Sequence, residues 1–447
     1  MAKMNFNASI LKMSWPIFIE VFLQMLMGNV DQFMISHYSQ QSVAAVANAN
    51  QIMNVIIILL TVMSTATTIL IAQYFGAKNQ KKIEEVCTVS FFFNGVFSLA
   101  ASALLIIFHQ ELFIWLDLPS NIMAEANTYL TIVGGGIIFQ GLYFSLVAAF
   151  RGHSWTKTTM VVSLVMNIFH IVSNSILIFG LGPIPALGVL GVAISTNGNK
   201  LLGLLILFFV FRRYLKVNMS WKYLQPFPWK TLRQVLSIGI PSGGETLSYQ
   251  LSQMTVMKMV NMFGLAVINT KVYVYILATF CYIYSIALAS AGQIIVGYFI
   301  GANREDIVGR KVWQTALLSV SICTTMTLLF YFGSDYVLRL FTDDREILQL
   351  GHMVLLVEII LEIGRGINIV MVSALQAAGD IKLPVIVGII CMWSFAVGLS
   401  YFFGIVLGMG LIGIWIGMAC DECIRGIIFI FRWRSGKWKN HKYIEAV

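Results

Sequence analysis

Charge is scarce in this chain: Asp, Glu, Lys and Arg make up only 11% of its 447 residues, against 58% hydrophobic. So little charge cannot keep the surface of a protein this size wet, which excludes a soluble globular protein and places the chain in lipid. A mean hydropathy of +0.82 agrees. Cysteine is sparse too, and Cys87, Cys281, Cys323, Cys391, Cys420 and Cys423 all lie in apolar runs, so no disulfide is expected. Cys420-x-x-Cys423 lacks a second pair or a histidine partner and is not read as a metal site. No Gly-x-x-x-x-Gly-Lys-Ser/Thr loop is present, nor any soluble segment large enough to bind a nucleotide. The chain therefore cannot hydrolyse ATP by itself. With no nucleophile triad or metal cluster in the sequence it is not read as an enzyme, and no cofactor is expected.

What is present is length in apolar segments. A helix of about 20 residues crosses roughly 30 Å of hydrocarbon. Stretches of that kind fall at 10–36, 43–74, 86–108, 125–150, 158–180 and 187–211, then at 234–263, 267–300, 312–333, 347–376, 383–404 and 410–431. Residues 1–15 carry Lys3 and Lys12 ahead of an apolar run, but the run is too long for a signal peptide and reads as the first span. The expected fold is thus an all-α, multi-pass membrane protein with twelve transmembrane helices.

The net charge of +9 does not indicate nucleic acid, because of where it sits. Lys and Arg cluster in alternate connections, around Lys78–Lys82, Arg151–Lys157, Arg212–Arg233 and Arg304–Lys311, and in the tail from Arg432 to Lys442. The intervening connections at 37–42, 109–121, 182–185 and 405–409 hold none, and 334–346 balances Arg339 and Arg345 with four acids. Basic connections stay in the cytoplasm, so both termini are expected there and the surrounding membrane is read as the plasma membrane.

The sequence also repeats itself. Adding 225 carries Pro16 to Pro241, Glu20 to Glu245, Gly76-Ala77 to Gly301-Ala302, Ala149 to Ala374 and Lys157 to Lys382. Two six-helix halves follow: residues 1–211 form the first lobe, 212–233 an interfacial linker with Trp221 and Trp229, and 234–447 the second lobe. An even helix number gives both halves the same orientation, so a pseudo-twofold axis along the membrane normal is expected, with a substrate cavity between the lobes.

An ionisable group at membrane depth is costly and marks function by default. Glu20 and Asp31 stand eleven residues apart on the first helix and share a face with Gln24 and Met27. A carboxylate there can be neutralised by a proton, a sodium ion or a cationic substrate, which is the chemistry of an antiporter. Asn48, Gln51, Asn167, His170, Asn174, Thr196 and Lys200 are further polar candidates in the first half. The second half offers Glu245, Lys258, Lys271, Glu358, Glu362, Arg365, Asp421, Glu422 and Arg425, where helical spacing suggests internal pairing. The repeat-mate of Asp31 is Val256, so the halves are chemically unequal and Asp31 is the first choice for coupling.

Trp15-Pro16 through Gly28-Asn29-Val30-Asp31, Ala72-Gln73-Tyr74-Phe75-Gly76-Ala77, Arg151-Gly152 and Gly188-Val189-Leu190-Gly191-Val192-Ala193, set in two six-helix repeats, resemble the multidrug and toxic compound extrusion (MATE) family over essentially the whole chain. The resemblance implies a V-shaped pair of bundles that expels organic cations or other amphipathic toxic compounds in exchange for protons or sodium, by alternating access. It aligns Asp31 with the family's first-helix carboxylate, His170 and Asn174 with its fifth-helix pair, and Thr196 with its sixth-helix threonine. His170 stands where the family usually has Asn, and Asn174 where some branches have Asp, which weakens the case for sodium. Tyr249 and Arg365 stand where other branches carry coupling acids, so coupling through the second half is not expected. A monomer is expected. The alternative reading is a flippase for a lipid-linked precursor, which would need a cavity lined mainly by basic side chains.

Overall fold

The computed structural model describes residues 10–441 and 443. Lys3, Lys442 and the extreme termini, and with them the expected cytoplasmic placement of both ends, lie outside the described residues. The described chain is almost wholly helical. α1 (Ile10–Ser36), α2 (Gln40–Gly76), α3 (Gln80–Trp115), α4 (Ser120–Gly135), α5 (Ile137–Gly152), α6 (Thr156–Phe179) and α7 (Val189–Val210) precede the linker. α8 (Trp229–Val260), α9 (Leu265–Gly301), α10 (Glu305–Phe332), the short α11 (Ser334–Leu338), α12 (Arg345–Ala378), α13 (Lys382–Cys391), which continues through π turns to Val406, and α14 (Gly410–Arg434) follow it. Among the described residues nine helices are long and apolar enough to cross a membrane, and the α4–α5 pair, bent by 43°, makes a tenth. α8 and α14 fall outside that count; α14 carries Asp421, Glu422 and Arg425 in its middle.

The repeat reappears in the backbone. α2 and α9 begin and end at repeat-mates, Gln40 with Leu265 and Gly76 with Gly301. The residues that turn the chain out of them are repeat-mates as well, Lys78 at φ 57° and Asn303 at φ 55°, as are Ser154 at φ 62° and Gly379 at φ 95°. Side-chain caps set several of the starts: Ser39 accepts from Ser42 N, Asn79 from Lys82 N and Asp344 from Glu346 N, each satisfying an amide that the first turn leaves free.

Two compact units result. One is Ile19–Ile240 and the other joins Pro241–Val447 to the first turns of α1, up to Phe18. Read from the sequence, the division falls at 211 and 234; in the fold it falls just after Pro16 in α1 and at Pro241 in α8, where each proline interrupts the helical ladder.

In the first unit α2 packs on α3, α4 and α5, while α7 packs on α4, α5 and α6. Ile35, Ala45, Leu60, Phe113 and Val192 fill its core. The linker belongs to this unit because two acids of α3 hold it. Tyr223 donates to Glu84 Oε2 at 2.5 Å, which pushes the phenol's pKa up, Asn218 N donates to Glu84 Oε1 at 3.3 Å, and Thr231 Oγ1 donates to Glu85. In the second unit α12 packs on α9, α10 and α14, around Val256, Leu277, Leu355 and Trp415.

Candidate functional site

α1 presents Gln24, Met27, Gly28 and Asp31 to one cavity of about 370 Å³ inside the first unit. These positions recur at helical spacing, so one stripe of α1 forms one wall. Asp31 Oδ1 accepts from Asn174 Nδ2 at 2.7 Å and lies 2.7 Å from His170 Nε2. His170 and Asn174, one turn apart on α6, are 1% and 0% exposed, whereas the Asp31 side chain is 16% exposed. The carboxylate is thus gripped from behind and open in front.

The other imidazole nitrogen, Nδ1, stands 3.4 Å from Ser195 Oγ, which in turn contacts Ser173 Oγ. A serine hydroxyl can either donate to this nitrogen or accept from it, so the imidazole can carry its proton on either side. A proton on the Nε2–Oδ1 contact therefore has two places to rest. With Asp31 ionised, Nε2–H donates to the carboxylate; with Asp31 neutral, its O–H donates to a bare Nε2. Asn174 Oδ1 and Thr196 Oγ1 nearby are buried and make no hydrogen bond.

Glu20 follows the same geometry to a different end. It meets Thr159 Oγ1 at 2.9 Å, eleven residues before His170 on α6, as Glu20 is eleven before Asp31 on α1. Here Arg151 Nη2 completes an ion pair at 2.9 Å and Glu20 is fully buried, so it braces α1, α5 and α6 and does not line the cavity.

A glycine break sets the far wall. A β-carbon at Gly136, between α4 and α5, would lie 2.3 Å from the Asn197 side chain of α7, which itself donates to Ile132 O at 2.6 Å. α7 approaches that closely only because the side chain is missing, and the approach carries Thr196, Asn197 and Lys200 to the cavity. Asn50 and Asn54 of α2 line it, together with Tyr129, whose hydroxyl donates to Asn50 Oδ1 at 3.2 Å.

Not every candidate arrives. Asn48 returns its amide to Ala44 O, Asn167 returns its own to Ser163 O, and Gln51 is exposed; none lines the cavity. Tyr129, Asn50, Asn54, Gln140 and Asn197 line it although the spacing did not single them out. The signal that could have found them was polarity inside apolar spans.

In the second unit the charges pair with one another. Arg365 contacts Glu362, reaches Glu358 Oε1 at 3.5 Å and Glu422 Oε1 at 3.9 Å, and lies over the Tyr282 ring at 4.7 Å. Trp415 Nε1 donates to Glu358 Oε2 at 2.6 Å, and Arg425 binds Asp421 and Glu422. Tyr249, Lys271, Glu358 and Arg365 border only a small crevice of about 20 Å³. Glu245 packs against Gly388, where an added β-carbon would come within 2.8 Å of its Oε1. Of the basic residues that a pyrophosphate cavity would need, Lys200 lines the first-unit cavity, and Lys271 and Arg365 stand among acids in the second unit.

A family described as MatE matches this chain twice, over residues 16–176 and 241–402, the second match starting at the repeat-mate of the first. The chain belongs to the MATE family. It is therefore a multi-pass membrane protein of a transporter family. The MATE chain is 38% identical over 430 residues to the uncharacterized transporter YisQ of Bacillus subtilis, covering 96% of this chain and 94% of that one. It is 26% identical to the probable multidrug resistance protein NorM of Thermotoga maritima, covering 96% and 93%. Among solved structures, a MATE in the bent conformation matches with a TM-score of 0.90 at 18% identity over 98% of this chain and 97% of that one. The bent form of the Vibrio cholerae MATE transporter VcmN gives 0.89 at 18% identity, over 97% and 98%. At these identities the likeness to solved structures shows the fold.

Proposed function

We propose that this MATE transporter exports amphipathic, mainly cationic compounds from the cell across the plasma membrane in exchange for protons, as a monomer with both termini cytoplasmic. The observation that carries this reading is the 2.7 Å contact between Asp31 Oδ1 and His170 Nε2 on the wall of the first-unit cavity. Ionised Asp31 attracts the cationic end of a compound resting on Met53, Ile57, Phe144 and Met166. Protonation removes that attraction, so proton and cation compete for one carboxylate. Competition of this kind couples their movement once the protein alternates between states that open the cavity to opposite sides.

Protons are taken as the coupling ion in this reading because Asp31 Oδ1 is already engaged by two nitrogen-bearing groups, His170 and Asn174, while sodium would have to draw on Asn174 Oδ1 and Thr196 Oγ1. Asp31, His170, Asn174 and Thr196 are accordingly assigned to coupling, with Gln24 and Lys200 to the cavity. Glu20 is assigned to bracing, and Glu358, Glu362 and Arg365 to the integrity of the second unit.

Competition for one carboxylate has a direct signature. Ethidium added to purified protein in weakly buffered detergent at a pH where Asp31 is protonated should release about one proton per molecule bound, and none from Asp31→Asn. Binding to the unaltered protein without proton release would rule out competition at Asp31.

A further inference from the structure

The cavity holds a second charge that proton exchange at Asp31 does not use. Lys200 lies one turn beyond Thr196 on α7, and its side chain lines the same cavity as Asp31. A lysine at membrane depth ordinarily snorkels to the surface or pairs with an acid. This one does neither. It has no carboxylate within salt-bridge distance among the described residues, although Asp31 lines the same cavity. Asp31 instead spends Oδ1 on His170 and Asn174.

Two opposite charges from two helices thus face one cavity, with Met53, Ile57, Val133 and Phe144 supplying an apolar lining. With His170 neutral, the cavity is electrically balanced when Asp31 is ionised and carries one positive charge when Asp31 is protonated. With Lys200 protonated it is at no point in such a cycle net negative, so a simple cation gains the attraction of Asp31 only against the repulsion of Lys200. A compound bearing both an ammonium and a carboxylate matches both charges at once.

We propose that Lys200 is a carboxylate-recognising residue, so that among the amphipathic cationic compounds this cavity takes, those that also bear a carboxylate are preferred. This deepens the function proposed above and rests on it. The ammonium of the compound is held at Asp31 and yields to the incoming proton, while its carboxylate is held at Lys200 by a charge-assisted hydrogen bond, roughly twice as strong as a neutral one. With Asp31 protonated, the uncompensated ammonium of Lys200 repels the cationic end and assists release.

Rhodamine 110 and its methyl ester, rhodamine 123, test this, because they share one cationic ring system and differ in a single carboxylate. Binding of each dye to the purified full-length protein is followed by fluorescence anisotropy. The unaltered protein should bind rhodamine 110 about tenfold more tightly than rhodamine 123. Lys200→Met, which keeps the long stem, should erase the preference by weakening rhodamine 110 and strengthening rhodamine 123, and Lys200→Arg should keep it. Arg also guards against a Met variant that simply fails to fold. Equal affinities in the unaltered protein, or a preference that survives Lys200→Met, would overturn the role of Lys200 and leave transport through the Asp31 cavity standing. Failure of both dyes to bind would remove the cavity as a site for amphipathic cations, and the inference with it.

Discussion

His170 Nε2 and Asp31 Oδ1 meet at 2.7 Å across the face where α1 packs on α6, and eleven residues earlier on both helices Thr159 meets Glu20 at 2.9 Å. The two contacts are one packing register used twice. At the Glu20 end Arg151 closes the register into a buried ion pair; at the Asp31 end no arginine follows and the carboxylate opens on the cavity. The same helix face braces the lobe at one end and exposes a titratable group at the other.

Replacing His170 by Ala removes the hydrogen-bonding partner of Asp31 and the second resting place for the proton. A hydrogen bond to a charged group contributes about 1.5–3 kcal/mol, so proton-driven efflux should fall at least about tenfold while ethidium still binds. Initial efflux rates set beside binding isotherms check this. Unchanged coupling would show that Asp31 works without His170.

Arg151→Met strands Glu20 as an unpaired buried acid. Removing one partner of a buried pair costs about 3–5 kcal/mol, and the melting temperature in detergent should drop accordingly. Adding Glu20→Gln should recover part of the loss. If the single variant melts with the unaltered protein, Glu20 is not held by Arg151.

Arg365→Met should be more harmful still, because Glu358, Glu362 and Glu422 all lean on that guanidinium. The expected result is low yield of folded protein, partly restored by adding Glu362→Gln, measured by size-exclusion chromatography. A stable variant with intact yield would mean that these acids are neutral without Arg365.

Gly136→Ala pushes a methyl group into the Asn197 side chain, and overpacking of this kind costs about 1–3 kcal/mol. Dye binding should weaken together with stability, since the same contact aligns Thr196 and Lys200 with the cavity. Asn197→Ala in the same chain should relieve the stability defect; persistence of the full defect would place its origin elsewhere.

Much of this was legible in the sequence, and the reasons differ by feature. The repeat was legible because identities at one offset survive any packing, and Pro16 with Pro241 carried it into the fold. The family resemblance singled out Asp31, His170 and Asn174 without pairing them; their contacts appear only in the fold, and helix periodicity explains why both partners lie on one face of α6. In the spacings Gly404-x-x-x-Gly408 and Gly413-x-x-x-Gly417, β-carbons at Gly404, Gly413 and Gly417 would strike Ile414, Phe403 and Ser400, whereas one at Gly408 would meet nothing.

Other features were not legible, for physical reasons. α2 runs for 37 residues, and at 100° per residue a small error in its rotation exchanges one polar residue for the next. Asn48 and Gln51 were the expectation, whereas Asn50 and Asn54 face the cavity. Glu20 and Arg151 are 131 positions apart, and no local spacing reports that they pair. The seam between the compact units could not be read either, because a helix continues through it on both occasions; only the prolines beside it were visible.

The most direct test of the central assignment is ethidium efflux from reconstituted vesicles under an imposed proton gradient and, separately, an imposed sodium gradient, for the unaltered protein and for Asp31→Asn. Efflux driven by protons alone and abolished in Asp31→Asn is the expected result. Efflux driven by sodium, or proton-driven efflux that survives in Asp31→Asn, would contradict proton exchange at Asp31.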